Sequence, residues 1–286
     1  MKNTTLRPGL YYASTFVATF AFWLAGAYLW THRGLKGHDM LLMLPGLLAP
    51  LAISVGMVLA SKDKELREQY INRLFNVRLM RVSTFPALLL MMPMVVLSSA
   101  LISLLFGESV AQFRLGETFS GSFTVAPGLL ALFVVATVEE FAWRSYAFDS
   151  LESRHNSFRS TILFSVLWSL WYLPLLLIKG TYPHRVLEQS PWYALNFYLS
   201  VVPLGVIVTW FWLKNRKSII SAVLIHIVIA VSQAIMPLSQ VTRTIETGLL
   251  AVVAAAIVAT DREIFYSRGR PVRGPLRSDG SGIRSN

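Results

Sequence analysis

Glu139, Glu140 and Arg144 stand inside Val125 to Phe148, an apolar block with the length of a membrane span. A carboxylate at the bilayer centre costs roughly 2.5–3.5 kcal/mol on insertion scales, so an acid kept there marks a group that faces protein or a water-filled cavity and has a function. A helix turns by about 100° per residue, so the two glutamates point to neighbouring faces while Glu140 and Arg144 share one. The Glu-before-Arg order at i, i+4 is the favourable one and gives Glu140 a local counter-ion. Glu139 shares its face with Trp143 and has no cation on its own helix. Such a carboxylate suits a general base for water. The same residues would also serve a plain helix-end salt bridge, with Glu139 reaching to the interface.

His226 is the one histidine inside an apolar block; His32, His38, His155 and His184 fall in loops. It lies on a stripe with Ala222, Ala230 and Gln233, and beside two intramembrane glutamates it is a candidate oxyanion donor or ligand. Ser165, Ser169 and Tyr172 recur at helical spacing in the fifth block, with Trp168 beside them. Taken alone, that stripe favours helix packing. Pro174 suggests a kink there.

The elements that must position these residues read as membrane spans. The chain is 54% hydrophobic with a mean hydropathy of +0.54. Its apolar residues gather into eight blocks, near Tyr11–Trp30, Met40–Ala60, Ala87–Phe106, Val125–Phe148, Thr161–Ile178, Trp192–Leu213, Ile219–Met236 and Thr244–Ala259. Most approach the ~20 residues that cross the hydrocarbon. The fold class is therefore all-α, a polytopic integral membrane bundle of about eight helices, with one transmembrane domain over 1–266 and a tail over 267–286.

The net charge of +11 would allow nucleic acid as a partner, but its distribution points to a membrane. With the N-terminus in the cytoplasm, alternate segments carry nineteen Lys and Arg residues on that side against six on the other. This bias predicts a cytoplasmic membrane protein with both termini inside. The lipid bilayer is then a partner and nucleic acid is not. There is no cysteine, which removes disulfides, thiolate metal sites and cysteine nucleophiles. The first apolar block has full span length and no clear small-residue cleavage site, so it reads as a retained helix.

Three polar stretches remain. Ser61–Ser83 interleaves six basic residues with apolar ones, a pattern for a helix in the lipid interface or for a solvated loop. Gly107–Thr124 reads as an ordered cap. The Gly, Pro, Ser and Arg of Ser267–Asn286 have little to bury and predict a disordered basic tail drawn to anionic lipid.

Three strings, in order, resemble the CAAX protease and bacteriocin-processing family, also called Abi-type intramembrane proteases. Glu139-Glu140-Phe-Ala-Trp-Arg144 matches the family's Glu-Glu-x-x-x-Arg motif. Leu170-Trp171-Tyr172-Leu173-Pro174 is similar to the second, Leu-Trp-His-Leu-Pro. Ser221-Ala-Val-Leu-Ile-His226 resembles the third, which runs on to an asparagine. The resemblance covers about 125–236, the family's four-helix catalytic core. It implies that Glu139 activates water, that Glu140 and Arg144 set the charge balance and that His226 binds the carbonyl oxygen. Tyr172 and Ala230 stand where the family has histidine and asparagine. Tyrosine, with a pKa near 10, is a poor base, and losing one oxyanion donor costs ~10²–10³ in rate. Gln233 lies one turn beyond Ala230 and could supply an amide.

The expected activity is intramembrane hydrolysis of a membrane-associated peptide or protein, from a cavity open to the cytoplasm. The alternative is an immunity-type or scaffold protein that keeps the fold and loses catalysis. No His-Glu-x-x-His occurs and all five aspartates fall outside the blocks, which argues against zinc-helix and aspartyl mechanisms. A divalent metal such as zinc on Glu139, Glu140 and His226 stays open, with weak support. A proton-coupled carrier is less suitable, because the ionisable groups do not run on through successive blocks.

Overall fold

The computed structural model describes residues 6–33, 38–116 and 122–266, and among them it contains helices and turns and no strand. The long helices are α1 (Pro8–Arg33), α2 (His38–Ala60), α4 (Phe85–Leu104), α5 (Ser122–Ala142), α7 (Ser157–Trp171), α9 (Pro191–Lys214), α10 (Ile219–Ile235) and α11 (Gln240–Thr260). Shorter ones are α3 (Lys64–Phe75), α6 (Phe148–Glu152), α8 (Tyr182–Gln189) and α12 (Arg262–Tyr266). Six of the long helices, α1, α2, α4, α7 with its following turn, α9 and α11, are long and apolar enough to cross a membrane. With α5 and the shorter apolar α10 they form the polytopic helical bundle that the eight blocks foretell.

Local chemistry sets the ends of these helices. Asn156, Ser190, Ser218 and Ser239 cap the N-termini of α7, α9, α10 and α11 through their side chains, each satisfying an amide that has no partner within its helix. Pro191 occupies the first turn of α9, where a missing N–H costs nothing. The fifth block does not run through as one helix. It closes at Trp171 and continues as a 3-10 turn, Leu173–Leu177, because Pro174 disfavours helical geometry at the residue before it. Tyr172 thereby becomes the C-cap of α7.

Packing brings α5 against α2 and α10, and α9 against α7, α8, α10 and α11. Gly205 sets the approach of α9 to α7. A Cβ built there would lie 2.2 Å from Ser165 Oγ, so only glycine admits this spacing. Ser165 is thus a packing residue, as its stripe implies.

One end of the bundle is closed by ions. Arg73 of α3 and Lys217, in the turn after α9, both pair with Asp149 of α6, and Lys217 also reaches Glu152. Burial alone would push the Asp149 carboxyl up, but Arg73 and Lys217 outweigh it and hold it below the usual carboxylate range. Burial would lower Lys217, but Asp149 and Glu152 raise it above its ordinary value. Arg216 and Lys217 have φ of 54° and 62°, a left-handed conformation that persists in non-glycine residues only where the surroundings over-determine it. The ion pairs of Lys217 and its backbone N–H to Trp212 O at 2.8 Å do so.

The Ser61–Ser83 stretch forms α3 and two short 3-10 turns. Leu74 and Arg73 turn inward while Ile71 and Phe75 are exposed, so the segment packs on the bundle as well as presenting an apolar outer edge. The tail 267–286 and the middle of the Gly107–Thr124 cap lie outside the described residues.

Candidate active site

Glu139 and Glu140 lie in the last turn of α5, immediately before a π-helical turn, Trp143–Ala147. Such wide turns recur at functional sites because they re-aim the side chains around them. The loosened carbonyls are taken up locally: Ser145 Oγ donates to Phe141 O at 2.6 Å and Tyr11 OH to Ala142 O at 3.3 Å.

The two glutamates have separate partners. Glu140 is fully buried; its Oε2 accepts from Arg144 Nε at 2.7 Å and its Oε1 lies 2.9 Å from His226 Nδ1. Arg144 then donates from Nη1 to Thr209 Oγ1 at 2.7 Å, and Thr209 donates to Gly205 O at 2.7 Å. Arg144 Nη2 has no protein partner among the described residues, an arrangement that costs about 1–3 kcal/mol for a buried donor. The guanidinium lies 4.3 Å over the Phe164 ring, and this cation–π contact offsets part of that cost.

Glu139 receives its bonds from α7. Its Oε2 accepts from Tyr172 OH at 2.6 Å and Trp168 Nε1 at 3.0 Å, and its Oε1 has no protein partner among the described residues. The Trp168 ring also meets His226 edge-on, with centroids 5.5 Å apart. Glu139, Glu140, Arg144, Tyr172 and His226 therefore form one contiguous cluster across α5, α7 and α10. Its formal charges balance when His226 is an imidazolium: two carboxylates against one guanidinium and one imidazolium.

The proposed three-ligand metal set does not fit this arrangement. Among the described residues no three His, Cys, Asp or Glu side chains come together to hold a metal ion, and both oxygens of Glu140 are engaged by Arg144 and His226.

A cavity lies beside the cluster, toward the end of the bundle opposite the ion clasp. It measures about 410 Å³ and is lined by Phe197, Ala230, Gln233, Arg185, Arg243 and Glu246, among others. Phe197 packs edge-on against Tyr172, with centroids 6.1 Å apart, and Ala230 lies one turn from His226. The clasp end is closed beneath Arg144 by Trp143, Phe148, Phe164 and Trp212, all fully buried. The chain's start belongs to that closed end, where Arg7 N donates to Tyr146 OH at 2.9 Å. The cavity lies toward the end of the bundle away from the basic loops. The residues that seal the basic-loop end are the aromatic neighbours of Arg144.

Family models and relatives decide the class. The model for the type II CAAX prenyl endopeptidase Rce1-like family matches residues 121–232. CAAX prenyl protease 2 of Methanococcus maripaludis is 47% identical over 261 residues, which cover 91% of this chain and 96% of that protein. The chain belongs to the CAAX prenyl endopeptidase family. It is a multi-pass membrane protein of that family, and the matched region contains the whole Glu139–Tyr172–His226 cluster.

Within this CAAX-endopeptidase chain some site neighbours are invisible in the sequence and some were readable. Thr209, which supports Arg144, is one small polar residue in the apolar α9 and carries no signal of its own. Glu246 did carry a signal: it is an acid within the Thr244–Ala259 block, and the structure buries it to 2% exposure. It accepts from Gln233 Nε2 at 3.0 Å. Gln233 thus spends its amide on Glu246 and lines the adjoining cavity.

Proposed function

We propose that the protein hydrolyses a peptide bond in a membrane-associated peptide or protein, with Glu139 as the base that activates water. The observation that carries this reading is the asymmetry of Glu139: Oε2 is fixed by Tyr172 and Trp168 while Oε1 has no protein partner among the described residues. An oriented carboxylate with one open oxygen is suited to take a proton from water. The resulting hydroxide adds to the scissile carbonyl carbon. The developing oxyanion accepts a hydrogen bond from Nε2–H of His226, whose Nδ1–H is held by Glu140. Glu139 then passes its proton to the amide nitrogen, the C–N bond breaks and the amine leaves. Arg144 balances Glu140 throughout and so keeps His226 oriented.

The relative's name, CAAX prenyl protease, supports a CAAX-type chain with a prenyl group as the substrate class. The charge split supports an orientation with both termini in the cytoplasm; the cavity beside the site then lies toward the opposite face. The test is hydrolysis of a prenylated peptide panel by purified protein, scored against Glu139→Gln. Loss of cleavage in that variant is expected, and full cleavage by it would remove Glu139 as the base.

A second reading, a membrane scaffold that has lost full catalysis, is favoured by one observation. Tyr172 and Ala230 stand at the family's histidine and asparagine positions, and Tyr172 commits its only proton to Glu139.

A further inference from the structure

A groove runs along the outside of the bundle with α9 as its floor and α7 and α11 as its walls, since α9 packs against both. It measures about 530 Å³ and its sides are apolar: Phe158 and Ile162 from α7, Val202 and Val206 from α9, Ala255 and Ala259 from α11. Ala251, Ala255 and Ala259 recur every fourth residue on the exposed side of α11, and their small side chains leave the room that larger ones would fill. None of these residues belongs to the Glu139 cluster or to the cavity beside it. The end of the groove on the side of the ion clasp is closed by α12, which packs against α7 and α11. Its Tyr266 stacks on Phe158 with centroids 5.1 Å apart, and its Phe265 is fully buried.

The closed end is where charge gathers. Arg262 lines the groove, its guanidinium lies 5.9 Å from the Tyr266 ring, and it has no hydrogen bond or ion pair among the described residues. The acid next to it, Asp261, is already engaged: it accepts from Lys214 Nζ at 2.8 Å and from Trp210 Nε1 at 2.6 Å. Glu263 lies on the neighbouring face of α12. Five arginines and one aspartate follow Tyr266 in the sequence, so the chain goes on from this point with net positive charge. A guanidinium with open donors matches a phosphate, and Trp210 and Tyr266 are side chains that favour the boundary between hydrocarbon and water. Length agrees with this placement. Ala251 to Arg262 covers eleven residues, about 16 Å of rise, which is half of a hydrocarbon core of ~30 Å.

We propose that this groove binds one phospholipid of the leaflet at the clasp end, with a hydrocarbon chain laid along α9 between α7 and α11 and an anionic phosphate headgroup on Arg262. Shape alone would admit any lipid of that leaflet. The guanidinium selects a headgroup with net negative charge over a zwitterion, whose own cation competes with Arg262. The bound chain bridges α7, α9, α11 and α12, so occupancy raises resistance to heat. Binding here requires no turnover of a substrate.

The test uses the full chain in detergent, offered phosphatidylglycerol and phosphatidylcholine in equal amounts at about 0.3 M salt, which screens the longer-range attraction of the basic tail. Native mass spectrometry counts bound lipids, and a melting curve measures stabilisation. Wild type should retain phosphatidylglycerol over phosphatidylcholine by about fivefold or more, the share that one basic residue contributes against anionic lipid, and should melt higher with it. Arg262→Gln should lose that preference, and Ala255→Trp, which fills the groove, should lose the bound lipid itself. Ala255 is exposed, so the larger ring disturbs no core contact. Ala256→Trp, on the neighbouring exposed face of α11, is the matched control and should bind as wild type does. Equal retention of the two lipids, a preference kept in Arg262→Gln, or lipid kept in Ala255→Trp would each overturn the proposal. So would equal stabilisation by glycerol phosphate, which has the anion and no chain. Release of the lipid by a farnesylated peptide would give the groove to the substrate's own chain, and a lipid-free dimer would give it to a second copy; either result overturns the proposal as well.

Discussion

Tyr172 OH and Glu139 Oε2 are 2.6 Å apart, and this bond ties the C-cap of α7 to the last turn of α5. It decides how Glu139 is presented, because a phenol with one proton can orient a carboxylate but cannot relieve it of a proton at neutral pH. Tyr172→Phe should leave the fold in place, since the ring contacts with Trp168, Trp171 and Phe197 persist. It removes a hydrogen bond to a charged group, worth about 1.5–3 kcal/mol. A melting temperature reduced by a few degrees, together with altered hydrolysis, is the expected outcome; unchanged values of both would show that the bond carries no weight.

Glu139→Gln should abolish hydrolysis, a loss of at least ~10²-fold given the usual contribution of a positioned base, and should yield folded protein at near wild-type amounts. Cleavage of a confirmed substrate at the wild-type rate would be decisive against the assigned base.

Restoring the family residues separates enzyme from scaffold. Tyr172→His with Ala230→Asn is expected to raise hydrolysis, and adding Glu139→Gln to that pair should remove the gain. Wild-type activity that vanishes with Glu139→Gln alone identifies a variant protease, and activity confined to the restored pair identifies a scaffold. The tyrosine-to-histidine change removes volume, so a modest stability loss accompanies it.

Arg144→Ala should be the most destabilising change at the site. It strips a fully buried Glu140 of its guanidinium counter-ion and removes the donor to Thr209 Oγ1, which keeps its own bond to Gly205 O. Removing one member of a buried pair typically costs about 3–5 kcal/mol. Glu140→Gln with Arg144→Met, which removes both charges, should recover much of that loss; a double variant as unstable as Arg144→Ala would argue against an electrostatic origin.

The ion clasp predicts a plateau in stability against pH. Asp149 is held below its ordinary value, so its contribution is present above the unfolded pKa of about 3.9 and fades as pH falls through its lower folded value. Lys217 is raised, so its contribution is present below about 10.4 and is lost as pH climbs through its higher folded value. Between roughly pH 5 and 9 Asp149→Asn should melt below wild type by several degrees, and the two curves should converge at strongly acid pH. Parallel curves at all pH values would rule out the clasp as the cause.

Sidedness is tested by labelling. Cysteine placed at Gln240 should react with an impermeant reagent in intact cells, and cysteine at Arg154 only after permeabilisation. The reverse pattern would invert the orientation and put the cavity on the cytoplasmic face.

Some of this protein was decided along the chain itself. Eight apolar blocks, the one-sided placement of Lys and Arg, and the Glu-Glu-x-x-x-Arg string all follow from desolvation costs that each segment meets alone. The Glu140–Arg144 pair is of the same kind, because one helical turn sets its geometry. What the sequence left open is which groups meet across helices. Spacing on α10 allowed His226 to serve either glutamate, and only packing gave it to Glu140 and left Glu139 to Tyr172 and Trp168. Gln233 could have turned to the cluster, yet it bonds Glu246, an acid that was readable but had no visible partner. The position of the cavity was likewise beyond the sequence. Hydropathy fixes that a helix crosses the membrane, but the depth and rotation of each helix come from contacts such as Gly205 on Ser165, and these choose the partners.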